Sequence, residues 1–189
     1  MGSFSEAVQE HRSALDIYEQ RGDVEETAFV SGCLGSALGS LGELAESAAY
    51  LEQARRQWRK VENAKELCWV LNNLAMVYYL MGQVDLAGEL FMDSLSKARE
   101  SGNQRIEAYA LISLADIDRQ SDDLHLALER YEQALAIAAD LGEMRPSTHA
   151  LTGLAHTYRQ MGDAGKAEVL ARQALAGAQE RENPYEQGL

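Results

Sequence analysis

The feature that most constrains this chain is an internal repeat with a period of 40 residues. Written in rows of that length, the 189 residues align five segments without a gap, which begin at Phe4, Leu44, Val84, Leu124 and Ala164. Four segments between them carry a leucine and a small residue at matched positions: Leu34-Gly35, Leu74-Ala75, Leu114-Ala115 and Leu154-Ala155. Small residues let two helices approach closely, and the neighbouring leucines fill the space between them. The repeat therefore predicts an array of packed helix pairs.

Residues that end and start helices recur with the same period. Glycines stand where helices should end, at Gly22, Gly42, Gly82, Gly102, Gly142 and Gly162, and capping residues follow at Asp23, Asn63, Asn103, Asp123 and Asp163. Pro146 suits the first turn of a helix, where its missing N–H costs nothing. Helices are predicted at residues 4–21, 24–41, 44–61, 64–81, 84–101, 104–120, 124–141, 146–161 and 164–181. Since no strand pattern occurs, the predicted fold is all-α.

This arrangement resembles the tetratricopeptide repeat over residues 4–183. The leucine and small-residue pairs match the family's motif, as do Tyr78 and Tyr158 downstream and the second-helix pattern Ala127-Tyr131-Ala134. The family's usual unit has about 34 residues, and longer units are similar to those of kinesin light chains and of MalT-like bacterial regulators and signal-transduction ATPases. The resemblance implies a right-handed superhelical solenoid of antiparallel helix pairs, with about nine helices.

Two positions of the third repeat depart from this pattern. Asp118 stands where the second and fourth repeats have tyrosine, and Asp122 stands where a glycine is expected. Two interpretations of Asp118 are open: this repeat is more loosely packed, or the carboxylate has a specific partner.

The expected organisation is an array with incomplete ends. Residues 1–3 are a tag-like or disordered start, and residues 184–189 are the start of a further repeat or a disordered tail. Between them lie an orphan helix at 4–21 and repeats at 24–61, 64–101, 104–141 and 146–181. Solenoids need polar caps because each unit exposes an apolar face to the next. We therefore hypothesise a fragment of a longer array, the alternative being that the terminal helices themselves serve as caps. Exposed apolar ends also predict a homodimer.

Composition and charge exclude several classes of protein. Thirty acidic against 17 basic residues give a net charge of −13, which repels phosphate backbones, so direct nucleic-acid binding is not expected. Cys33 and Cys68 match no zinc or redox spacing and are interpreted as reduced thiols. The 18 residues 67–84 carry no charge, but Asn72 and Asn73 within them disfavour a membrane helix. A cytoplasmic protein without membrane contact is predicted.

The resemblance places the first helix of each pair on a concave face, which gives the candidate binding residues. They are Phe29, Trp69, Asn72, Asn73, Met76, Tyr79, Tyr109, Asp116, Arg119, His149, His156 and Arg159. Exposed rings and Met76 would anchor a peptide, although the rings could instead only pack neighbouring helices together. Asn72 and Asn73 each carry donors and an acceptor, so one of these side chains could clamp a peptide unit, or one of them, most readily Asn73, could bond a neighbouring helix. Arg119 and Arg159 could hold a carboxylate or phosphate, pair with Asp116, or meet solvent.

Nothing in the sequence predicts catalysis or a cofactor. The phosphate-binding, nucleophile and metalloprotease motifs that enzymes use do not occur. His149 and His156 are seven residues apart, about 10 Å along a helix, too far to share a metal ion. The predicted function is a non-enzymatic module that binds a peptide or partner segment in the concave groove, within a larger bacterial regulatory protein. The alternative is the small-ligand sensor arm of a MalT-like transcriptional regulator or a signalling ATPase.

Overall fold

The protein is all-α, as the repeat predicts. The structure is a computed structural model that describes the backbone of residues 2–182 and the side chains of residues 6–179. These residues form nine α-helices and no strand. The helices are α1 (Gly2–Arg21), α2 (Val24–Leu41), α3 (Leu44–Lys60), α4 (Ala64–Leu80), α5 (Val84–Ser101), α6 (Gln104–Gln120), α7 (Leu124–Asp140), α8 (Met144–Gln160) and α9 (Ala164–Glu182).

Most of the predicted helix starts coincide with the observed ones, and two are corrected. Helix α1 begins at Gly2, inside the segment predicted as a disordered start, and α8 begins at Met144 rather than at Pro146. Proline fits anywhere in the first turn, where backbone N–H groups have no partner within the helix, so Pro146 does not fix the first residue of α8. The predicted tail at 184–189 lies outside the described residues.

The predicted N-cap residues make the hydrogen bonds expected of them. The side chains of Asp23 and Asn63 each accept a hydrogen bond from the backbone N–H three residues later, at 3.2 Å. Each of the helices α1 to α8 is followed within two residues by a residue in the left-handed conformation, which is usually glycine. Glu62 (φ 54°) and Asp122 (φ 65°) adopt this conformation without being glycine. A side chain there costs roughly 1–2 kcal/mol, so these two turns are held by the helices on either side.

The chain divides into two compact units, and the first ends at Ile106. Its helices pack through matched small residues, as the repeat predicts. A Cβ on Gly35 of α2 would lie 2.7 Å from Leu51 Cγ of α3, so only glycine allows this approach. Two buried serines replace alanine at matched positions and donate to a neighbouring helix: Ser47 Oγ to Gly35 O at 2.6 Å and Ser94 Oγ to Cys68 O at 2.8 Å.

The second unit begins at Glu107 and packs α8 between α7 and α9. The ring of Tyr131 on α7 is fully buried and lies against Gly153 of α8, where no side chain would fit. Over residues 2–182, no helix combines the length and the hydropathy needed to cross a membrane.

Candidate functional site

The candidate binding residues all lie on the first helices of the repeats, namely α2, α4, α6 and α8. Six belong to the first unit and six to the second. The structure brings subsets of them together in pockets within each unit.

Two aromatic rings share a pocket of the first unit. Phe29 of α2 and Trp69 of α4 line a depression of about 310 Å³, with Cys33 and Ile106 beside them. Phe29 is 47% exposed, whereas Trp69 is half-buried. A Cβ on Gly32 would lie 2.7 Å from the Trp69 ring, so the indole rests directly on the α2 backbone. The two rings therefore differ: Trp69 both packs α2 against α4 and lines the pocket, while Phe29 presents its ring to solvent.

Charged side chains line the same pocket, whose cysteine is partly buried. Lys65, Glu66 and Arg105 also line the depression. Burial, and then the negative charge of Glu66, raises the pKa of the Cys33 thiol above its usual value. Both cysteines are free, as predicted. A raised thiol pKa lowers the thiolate fraction at neutral pH, which argues against a reactive cysteine here.

A second pocket of the first unit lies further along α2 and α4. It measures about 260 Å³ and contains Asn73 and Met76 together with Ser36, Ser40 and Leu80. Met76 is 39% exposed and Leu80 is 57% exposed. Tyr79, another candidate on α4, is half-buried and does not line this pocket.

The adjacent amides of α4 each have a buried polar atom with no hydrogen-bond partner among the described residues. These atoms are Asn72 Oδ1, an acceptor, and Asn73 Nδ2, a donor. Leaving such a group unpaired costs roughly 1–3 kcal/mol. The predicted alternative, in which Asn73 bonds a neighbouring helix, therefore does not account for its Nδ2 atom.

Two candidates of the second unit, Asp116 and Arg119, form a hydrogen-bonded network with a buried tyrosine. Tyr131 of α7 donates its hydroxyl hydrogen to Asp116 Oδ1 of α6 at 2.6 Å, and Arg119 Nη2 lies 3.4 Å from the same oxygen. Burial, followed by the hydrogen bond to Asp116 and its charge, raises the pKa of Tyr131. Arg119 therefore pairs with Asp116, one of the alternatives left open by the sequence. Tyr109 of α6, another candidate, is half-buried.

The unusual Asp118 has a specific partner. Arg130 Nη1 of α7 donates to Asp118 Oδ2 at 2.6 Å, and the two side chains are only 22% and 13% exposed. Burial raises the pKa of Asp118, and the charge of Arg130 partly offsets this effect. Arg130 is not among the residues predicted from the sequence, although a carboxylate at a position where other repeats carry tyrosine indicates a nearby cation.

The remaining candidates lie on α8. His149, His156 and Arg159 are exposed, and Arg159 Nη2 lies 3.1 Å from His156 Nδ1. His156 and Arg159 border a cavity of about 540 Å³ between α8 and α9, whereas His149 does not. Among the residues that the structure describes, no group of histidine, cysteine or acidic side chains could hold a metal ion.

Comparisons with known proteins agree on one family. Two family models, both described as Tetratricopeptide repeat, match residues 66–140 and residues 148–183, together more than half of the chain. No curated protein matches the chain significantly.

Solved structures share the fold. BtubC (BKLC) from P. vanneervenii matches with a TM-score of 0.81 and 22% identity, over 97% of this chain and 76% of that one. A Podosopora anserina putative kinesin light chain with nearly identical TPR-like repeats matches with a TM-score of 0.73 and 22% identity, over 96% and 90%. The Rap conjugation gene regulator of plasmid pLS20, solved in complex with the Phr* peptide, matches with a TM-score of 0.80 and 19% identity, over 96% and 50%. These likenesses confirm the predicted fold class.

Proposed function

Because the chain belongs to the tetratricopeptide repeat family, we propose that it is a non-enzymatic module that holds a peptide or partner segment in the concave groove formed by the first helices of its repeats. The family supports a role in protein interaction, and the Rap regulator shows the same fold in complex with a peptide. The proposal places the ligand of the first unit along α2 and α4.

The observation that carries the proposal is the pair of unpaired amide atoms on α4. A peptide bond has one N–H donor and one C=O acceptor. Asn72 Oδ1 lacks a donor and Asn73 Nδ2 lacks an acceptor among the described residues, and both atoms are buried. The proposal therefore requires at least one of these amide side chains to turn toward the groove, where it can bond a peptide N–H or C=O group. A ligand that satisfies both atoms removes the cost of burying them unpaired.

Apolar anchors flank these amides. Phe29 and Trp69 line one pocket, and Met76 and Leu80 line the other. An extended peptide has side chains that alternate along its backbone, so polar recognition at the asparagines is compatible with apolar side chains in both pockets. Exposed aromatic and methionine side chains are typical anchors of such interfaces.

A selection experiment tests the proposal. A phage library of random 12-residue peptides is selected on the wild-type chain, and the affinities of enriched synthetic peptides are measured by fluorescence anisotropy. We expect the double variant Trp69→Ala, Asn72→Ala to weaken binding by at least about tenfold, or 1.4 kcal/mol. The matched control is Met92→Ala, Ser96→Ala, which alters one exposed apolar and one exposed polar side chain of α5.

The outcomes separate the proposal from its alternatives. Binding that is lost in the groove variant and kept in the α5 variant, with both variants folded by circular dichroism, supports the proposal. A library that yields no binder, or peptides that bind the groove variant as tightly as the wild type, contradicts it.

A second candidate function is the recognition of a small ligand as the sensor arm of a larger regulator. The pocket beside Phe29 and Trp69 favours it, because about 310 Å³ is within the range of small-molecule sites. Lys65 and Glu66 at its edge offer charge of both signs. A thermal-shift screen with small metabolites tests this candidate: a ligand whose effect disappears in Trp69→Ala supports it, and a screen without any shift contradicts it.

A further inference from the structure

The last repeat has a cavity where the earlier repeats have a large side chain. The equivalent position is occupied by Leu51 in α3, Phe91 in α5 and Tyr131 in α7, all of which are fully buried. In α9 it is occupied by Ala171, which is exposed. A cavity of about 540 Å³ lies over it, with a floor of alanines from α8 and α9. The position at which earlier repeats carry a large residue is thus an alanine that lines an apolar cavity between α8 and α9.

The complementary surface indicates what would fit this cavity. Between α7 and α8, the second helix brings the large side chain of Tyr131 and the covering helix brings Gly153. In α9 the residue equivalent to Tyr131 is the small Ala171. A helix that covers α9 must therefore supply the large side chain itself. Leu175, one turn after Ala171 on the same helix, lines the same cavity and is 58% exposed. Helix α9 therefore borders a cavity and also carries a protruding side chain that can enter the same cavity on a second copy.

We propose that this face binds a second copy of the chain, in a symmetric dimer in which two α9 helices pack antiparallel. A two-fold axis close to residue 173 places the partner's Leu175 over Ala171, and the same axis places Leu175 over the partner's Ala171. An interface between identical surfaces must be self-complementary, and a protrusion and a cavity one helical turn apart on one helix meet this condition. The face lies entirely within the second unit.

Two charged side chains line the cavity: Glu168, which pairs with Arg172 of its own helix, and Arg159, which is compatible with this register. Arg159 lines the cavity beside Ala164, at the start of α9. In the antiparallel arrangement, the C-terminal end of the partner's α9 lies at that end of the cavity. The carbonyl groups at a helix C-terminus carry partial negative charge, which favours a nearby arginine. The net charge of −13 on each copy acts in the opposite direction, so salt should strengthen the dimer.

Sedimentation equilibrium of the full chain tests the proposal. Over about 1–500 µM, we expect the mass to rise from one chain to two, and to rise at lower concentration when salt is added. Leu175→Glu removes the protruding side chain, and Ala171→Phe fills the cavity with the residue that the second repeat carries at this position. Each variant should weaken the dimer at least about tenfold while its circular dichroism melt stays cooperative. Met92→Glu is the matched control, because Met92 is 52% exposed on α5 of the first unit and the charge change is the same.

A mixing experiment tests the register itself. Ala171→Lys and Leu175→Glu are each expected to be monomeric alone. When they are mixed, one pair of sites joins the introduced lysine to the introduced glutamate, and the other pair keeps the native alanine and leucine. We therefore expect the mixture to form dimers that neither variant forms by itself.

The remaining outcomes overturn the proposal. A wild-type chain that stays monomeric throughout the range contradicts it, as does a dimer that survives both Leu175→Glu and Ala171→Phe or is lost in Met92→Glu. A chain that dimerises only after removal of residues 183–189 also overturns it, and assigns the cavity to the chain's own C-terminal segment.

Discussion

The hydroxyl of Tyr131 donates a hydrogen bond to Asp116 Oδ1 at 2.6 Å, from a ring that is itself fully buried. This contact joins α7 to α6 within the third repeat and holds the carboxylate that also pairs with Arg119. A side chain of the second-helix pattern Ala127-Tyr131-Ala134 thus determines what a candidate groove residue can do. Asp116 already has partners, so it is poorly suited to bind a cation from a ligand.

Removal of the Tyr131 hydroxyl should destabilise the protein without leaving a cavity. For Tyr131→Phe we expect a loss of about 1.5 kcal/mol in the free energy of unfolding, because a hydrogen bond to a carboxylate is lost. Urea denaturation at neutral pH measures it. Tyr158→Phe, a half-buried tyrosine of the fourth repeat, is the control and should change stability by less than about 0.5 kcal/mol. Equal effects of the two substitutions would contradict the importance of the bond to Asp116.

The same bond predicts a pH dependence. Burial and Asp116 raise the pKa of Tyr131 above its ordinary value of 10, so the folded state keeps the phenolic proton to higher pH than the unfolded state does. Its contribution to stability is therefore complete below about pH 10 and decreases as the pH rises further. The difference in unfolding free energy between the wild type and Tyr131→Phe should shrink between pH 9 and pH 11. A constant difference over that range would refute the raised pKa.

Removal of one partner of the ion pair between Asp118 and Arg130 should destabilise the protein, whereas replacement of both partners by less polar residues should not. Arg130→Met leaves a mostly buried carboxylate without its cation, and we expect a loss of about 3 kcal/mol at neutral pH. The double variant Asp118→Tyr, Arg130→Leu installs the residues that the fourth repeat carries at these positions, Tyr158 and Leu170.

Apolar replacement of a buried ion pair is often neutral or stabilising, so the double variant should be at least as stable as the wild type. Thermal and urea denaturation compare all three proteins. If the double variant were as unstable as Arg130→Met, the third repeat would require the ion pair for a reason other than charge compensation.

Two glycines of the second unit should respond in opposite ways to alanine. A Cβ on Gly153 would collide with the Tyr131 ring, so Gly153→Ala should cost about 1–3 kcal/mol. A Cβ on Gly165 in α9 would lie 3.7 Å from Asp163 Oδ1, an ordinary contact, so Gly165→Ala should be neutral or stabilising by up to about 1 kcal/mol. Equilibrium denaturation measures both, and similar effects at the two sites would argue against the close approach of α8 to α7.

The unpaired side-chain oxygen of Asn72 predicts that this candidate binding residue lowers the free energy of unfolding of the protein. Asn72→Leu removes an acceptor that has no partner within residues 6–179, so we expect the unfolding free energy to rise by about 1 kcal/mol. Asn63→Ala, at the start of the same helix, removes the cap bond to the Glu66 N–H and should lower it by about 1 kcal/mol. Should Asn72→Leu destabilise the protein instead, the proposed peptide clamp would lose its basis.

The sequence revealed the elements because the signals for them are local and recur. Asp23, Asn63 and Asn103 cap the helices that their positions predict, since an N-cap bonds a backbone group only three residues away. The matched small residues predicted close packing, and Gly35 against Leu51 confirms it. Ala171 was equally visible in the alignment of repeats, but its meaning depends on how much space a missing side chain leaves between two helices.

The 40-residue period by itself determined the helices, their ends and their pairing into repeats, because each of these depends on neighbours along the chain. Only the tertiary structure decided which side chains share a pocket and which polar atoms are left without a partner. Asp118 meets Arg130, Asp116 meets Tyr131, and Asn72 Oδ1 meets no donor within the described part of the chain. Such contacts depend on the distance and rotation between helices to within about an ångström, and the repeat pattern does not specify geometry so finely.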